Sequence, residues 1–141
     1  MPASTCHKFF GIDAAWLAID ALGQVAIFTT GGEGPVPETA IASVEIAEQS
    51  VWCLAEISGY NLHAFVPRPD DFIAFAKRGL FAYDWSDVHR VAAARIDGYE
   101  LQAQPLSPLL ISMLPASVQA LAGATQLSRV SFGSNIVVVG A

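Results

Sequence analysis

The 141-residue sequence is short of charge: seven Lys and Arg stand against thirteen Asp and Glu, together 14% of the chain, for a net charge of −6. Soluble domains ordinarily carry roughly 25% charged residues. So few cations, outnumbered by acids, exclude the usual nucleic-acid binder, which needs a basic surface to neutralise phosphates. Cysteine is equally scarce. Cys6 and Cys53 lack CxxC spacing, which gives neither a disulfide framework nor a zinc ligand set. Both read as free thiols, with Cys53 packed inside an apolar segment. Long apolar runs are missing too. The uncharged stretch between Glu100 and Arg129 could reach across a bilayer, but Pro105, Pro108 and Pro115 would break a helix there. Gln102, Gln104, Gln119 and Gln126 would also sit in hydrocarbon at a cost. After Lys8 the apolar run ends at Asp13, before the h-region of about 7–15 residues that a signal peptide needs. The reading is a cytoplasmic protein with neither a membrane nor a nucleic-acid partner.

What the chain does have is apolar residues, 53% of it, which is incompatible with disorder. Its length is that of a single domain, 1–141, with residues 1–10 reading as a flexible N-terminal arm. Trp16-Leu17-Ala18-Ile19 and Val25-Ala26-Ile27-Phe28, joined by Asp20-Ala21-Leu22-Gly23, predict a hairpin that is apolar on both faces. Thr29 to Pro37 reads as a loop, with three glycines and two prolines. Ile41, Val44, Ala47, Val51 and Leu54 recur at helical steps. They predict a helix with Glu45, Glu48 and Glu56 on its other face, although Val44-Glu45-Ile46 also alternates as a strand would. A second helix begins at Asp70 and Asp71 and ends at Lys77-Arg78, with Gly79 at C′. Leu80 to Trp85 reads as a strand, and Val88 to Ile96 with Tyr99 to Gln104 as a hairpin across Asp97-Gly98. A third helix is expected over 115–122, then two short strands at 127–132 and 136–139 around a Gly133-Ser134-Asn135 turn. Strands in hairpins with separate helices argue for an α+β fold, a mainly antiparallel sheet of about five to six strands with two or three helices.

Three places could carry chemistry. The first is the glycine loop. Backbone N–H groups of Gly31, Gly32 and Gly34, with the Thr29 and Thr30 hydroxyls, could hold an anion ahead of a helix. No GxxxxGK[ST] or GxGxxG is present, and Glu33 would repel an anion, so a structural turn competes with this reading. The second is Tyr83-Asp84-Trp85-Ser86-Asp87-Val88-His89-Arg90. On a strand, Asp87 and His89 share a face, and a carboxylate orienting an imidazole is what a general base or a metal-bound histidine needs. The bland alternative is a surface turn with a satisfied histidine. The third is Trp52, on the polar side of its helix, where a protein interface would explain its exposure. No metal site or cofactor is implied, and there is no GxSxG to suggest a nucleophile.

The segment Phe28-Thr29-Thr30-Gly31-Gly32-Glu33-Gly34-Pro35-Val36-Pro37, after a Trp-bearing strand and an Asp-x-x-Gly turn, resembles a segment of small uncharacterised bacterial proteins. Those proteins have a strand like Gly79 to Trp85 later in the chain. By analogy some of them are similar to immunity proteins, which neutralise a toxin by binding it, and the resemblance transfers no functional residue. Composition and motifs together favour a non-catalytic acidic binding domain that associates with itself or with another protein. The alternative is a small-ligand binder or enzyme using the Gly31–Gly34 loop with Asp84, Asp87 and His89.

Overall fold

The computed structural model describes residues 5, 6, 9, 11–63, 69–85 and 98–139. Its centre is the hairpin of β2 (Ala15–Asp20) and β3 (Val25–Thr29), in register Trp16↔Phe28, Leu17↔Ile27 and Ala18↔Ala26. Side chains alternate along a strand, so apolar residues at successive positions need cover on both faces. One face receives helices: Leu17, Val25, Ile27 and Ala82 pack with Ala47, Val51, Phe75, Ala76, Val118 and Ala122. The other is aromatic. Trp16 stacks on Phe28 at 4.2 Å and Phe28 on Tyr83 at 5.1 Å, while Tyr99 meets Trp16 and Phe28 edge-on. Offset stacks and edge contacts of this kind suit the ring quadrupoles.

Around the hairpin the described residues form an open sheet of seven strands, in the order β5-β7-β6-β3-β2-β8 with β9 also on β7. Its further members are β5 (Tyr60–Leu62), β6 (Phe81–Trp85), β7 (Tyr99–Pro105), β8 (Gln126–Leu127) and β9 (Ile136–Val137). β1 (Thr5–Cys6) and β4 (Val36–Pro37) form a separate antiparallel pair. Among the described residues are four α-helices: α1 (Ile41–Val44), α2 (Ala47–Trp52), α3 (Asp70–Lys77) and α4 (Ala116–Gly123). It is an α+β fold, but the sheet is mixed and larger than the sequence suggests, since β6 lies parallel to β3 and β8 parallel to β2.

The hairpin at 15–29, the strand at 81–85 and the helix starting at Asp70 stand where the sequence places them. Gly79 has φ +91°, the left-handed conformation expected past a helix end. Elsewhere tertiary contacts override local pattern. The single helix expected from the Ile41–Leu54 periodicity is instead a 3-10 turn at Glu38–Ala40 followed by α1 and α2, and Val44-Glu45-Ile46 is not a strand. The break follows from Ser43, which is buried. Its Oγ donates to Ala40 O at 2.8 Å and accepts the Leu17 N–H at 3.2 Å, so α1 is drawn to the edge of β2. Ile46 leaves helical geometry at φ −124°, ψ 0°, and α2 restarts toward the core. Because α2 ends at Trp52, Cys53 is exposed rather than packed. Val36–Pro37 pairs as a strand instead of continuing the loop, and the two tail strands shrink to Gln126–Leu127 and Ile136–Val137. The expected strand at 88–96 and its Asp97 turn lie outside the described residues. No helix among the described residues is long and apolar enough to cross a membrane.

Asp20 is 3% exposed although it carries a carboxylate. Oδ1 accepts the N–H groups of Leu22 (3.0 Å) and Gln24 (2.9 Å), and Oδ2 accepts Gln24 Nε2 (2.8 Å) and Phe132 N (2.9 Å). Four donors to one carboxylate replace its water and join the hairpin turn to the segment that covers the aromatic face. Asp20→Ala is expected to lower unfolding stability by about 3 kcal/mol, since it strands buried donors. Urea denaturation of the variant beside the wild type measures it.

Candidate functional site

The glycine loop is built around Thr30, which is buried. Its Oγ1 accepts the Ala14 and Gly32 N–H groups at 3.0 and 3.2 Å, and its carbonyl accepts those of Glu33 and Gly34 at 3.1 and 2.9 Å. The Gly31 N–H donates to Asp13 Oδ1 at 3.0 Å, so a carboxylate of the chain itself stands where an external anion would. Every backbone amide from Thr30 to Gly34 is thus engaged within the fold. Gly31 and Gly32 have positive φ, 59° and 85°. Gly34 is glycine for another reason: a Cβ there would collide with the Tyr99 hydroxyl. That hydroxyl donates to Pro35 O at 2.9 Å and accepts the Trp16 indole N–H at 3.2 Å, and burial pushes its pKa up. The loop braces residues 11–14 against the sheet.

Thr29 points away from this loop. Its Oγ1 donates to Asp84 Oδ1 at 2.6 Å, because β3 and β6 run parallel with Thr29 beside Asp84. On β7, Glu100 stands opposite Asp84. The structure thus brings Thr29 and Asp84 together, while Asp87 and His89 lie outside the described residues. Among the described residues no group of three or more His, Cys, Asp or Glu is placed to hold a metal ion.

An open cleft of about 350 Å³ lies beside the braced segment. Ala14, Ala15, Val44 and Phe9 give it apolar walls, and Asp13, Glu45 and Glu48 bring carboxylates to it. Asp13 comes from the strand entry that the glycine loop holds, and the two glutamates come from the turn into α2. Glu48 has its carboxyl pushed above the ordinary range, first by burial and then by the negative charges of Asp71 and Asp13.

Four residues along α2 from Glu48, on the same helix face, stands Trp52, 39% exposed. Its ring centroid is 5.0 Å from that of Phe75, and the Arg78 guanidinium lies 5.1 Å from it on a cation–π contact. Arg78 is itself fixed, its Nε and Nη1 donating to Leu54 O and Ala74 O, both at 3.0 Å. The indole is therefore held in place while exposing part of its surface. Sequence reasoning singled out Trp52 but not the cleft. Its walls come from Phe9, residues 12–15, Val44, Glu45 and Glu48, and their acids have no motif spacing; they meet because α1 is drawn onto the edge of β2. No family model, curated protein or solved structure matches the chain.

Two consequences can be measured. Gly34→Ala is expected to destabilise by about 2 kcal/mol through overpacking. Combined with Tyr99→Phe it should cost less than the sum of the two single changes, as a double-mutant cycle in urea would show. For Glu48 the sign runs against the usual salt-bridged acid. Its folded pKa is raised, so folding favours the protonated form, and stability falls as pH rises from the unfolded carboxylate value through the raised one. Glu48→Gln is expected to raise Tm at pH 7 and to give no comparable gain below the carboxylate range, in calorimetry at the two pH values.

Proposed function

We propose that this chain is a non-catalytic acidic binding domain that engages a protein partner through α2 and the cleft beside it. The observation that carries this reading is Trp52, half-exposed yet fixed between Phe75 and Arg78, and adjacent on one helix face to the acid-edged cleft. Tryptophan dominates binding energy at interfaces because it offers a large contact area. Held rigid before binding, it loses little further freedom on association. The glycine loop acts here as a support, fixing Asp13 at the cleft mouth through the Gly31 N–H.

The reading includes association with a second copy. The exposed apolar residues Ile57, Tyr60, Leu62 and Leu106 lie near the short strand β5, whose outer edge pairs with no other strand among the described residues. A second reading, a small-ligand binder or enzyme, is favoured by the 2.6 Å contact between Thr29 and Asp84 on adjacent parallel strands. It would draw Asp87 and His89 to that contact.

The test compares wild type with Trp52→Ala as bait in extracts of the source cells, followed by reconstitution from purified components. A protein held by wild type, lost from Trp52→Ala by about tenfold or more in affinity, and forming a stoichiometric complex would bear the reading out. Sedimentation of both chains reads out self-association in the same way. Equal binding by both chains, or turnover that depends on Thr29 and Asp84, would overturn it.

A further inference from the structure

Glu48 at the cleft and Trp52 share one face of α2, four residues apart, and the chemistry along that face specifies what it can hold. Glu48 and Trp52 are one helical turn apart, about 6 Å along α2. At the Glu48 end the walls are apolar, from Ala14, Ala15 and Val44, and among the described residues the charges lining it are of one sign, from Asp13, Glu45 and Glu48, with Asp71 of α3 close by. At the Trp52 end the exposed surface is aromatic, and its cation, Arg78, is already spent on the indole face, two carbonyls and a 3.9 Å contact with Glu56. An anionic ligand would meet repulsion, and a neutral apolar one would leave the carboxylates to be desolvated without compensation. A long aliphatic side chain that ends in a positive charge satisfies both parts of the cleft, its stem on the alanines and valine and its head among the carboxylates.

We propose that this surface docks a basic segment of a partner protein, seating a Lys or Arg side chain in the cleft and an apolar side chain about 6 Å away on Trp52. This rests on the binding-domain reading and names its partner's chemistry. The separation is that of residues i and i+2 in an extended segment or i and i+4 in a helix, so an alternating or amphipathic basic segment presents both groups at once. The net charge of −6 acts in the same direction, drawing a basic partner in before contact.

The probes are synthetic peptides: a lysine-rich peptide with apolar residues two and four positions from lysines, and counterparts with serine or glutamate in place of lysine. They are titrated against the purified chain by calorimetry and by the NMR signal of the Trp52 indole N–H. The expected result is that the lysine peptide binds, shifts that signal and weakens as salt rises, while the glutamate peptide does not bind. The double variant Glu45→Gln, Glu48→Gln should bind at least about tenfold more weakly. Because Glu48→Gln is expected to stabilise the fold, such a loss would not reflect unfolding. Lysine and serine peptides of equal affinity, or a double variant that binds as well as wild type, would overturn the proposal. If that happened while a protein partner still depended on Trp52, the binding-domain reading would stand without the basic partner. If no partner depended on Trp52, both would fall.

Discussion

A hairpin that is apolar on both faces cannot be half of a two-layer sandwich with water on its far side. β2 and β3 bury Leu17 and Ile27 toward the helices and Trp16 and Phe28 toward the opposite layer, so the chain has to supply two covers. Helices provide the first. The second is assembled from pieces with little regular structure of their own: the region of Val36 and Ala40, and the region of Phe132, Val137 and Val139. Such pieces cannot rely on helix hydrogen bonds to hold them, so polar groups anchor them at points. Asp20 holds Phe132 N, the Tyr83 hydroxyl donates to Ser134 O and accepts the Gly133 N–H, and the Tyr99 hydroxyl holds Pro35 O. Those phenols stay protonated well above neutral pH; burial pushes Tyr83 up to about 12.

The candidate site follows from the same constraint. Covering the edge of β2 draws Ser43 to the Leu17 N–H and splits the helical region, and the split leaves Glu45 and Glu48, both exposed, lining the cleft beside the entry to β2. The glycine loop then fixes the opposite wall by holding Asp13. Like charges collected beside apolar groups are costly to a free protein, as the displaced Glu48 carboxyl indicates. Sites that await a charged ligand commonly carry such a cost.

What the sequence made legible was what depends on neighbouring residues. The β2–β3 hairpin is visible because two short apolar runs flank the Asp20–Gly23 turn, and α3 because its acids, bases and Gly79 mark both ends. The mixed sheet was not legible, because the parallel pairings of β3 with β6 and of β2 with β8 join segments far apart in the chain and leave no local mark. β5, with Tyr60, Asn61 and Leu62 all exposed, has no apolar face to announce it. For the site, Trp52 stood out as an aromatic among acids, and the Thr29 hydroxyl and Asp84 each drew notice without any sign that they touch. The cleft stayed hidden because alanines and glutamates in ordinary positions carry no signature until tertiary structure gathers them.

The anchor between Asp20 and Phe132 spans 112 positions of the chain. During synthesis the hairpin with Trp16 and Phe28 therefore leaves the ribosome long before the residues that shield its aromatic side exist. Throughout that interval an adhesive surface of aromatic rings faces solvent or a chaperone, and translation speed past residue 132 becomes part of what decides whether the newborn chain folds or clumps.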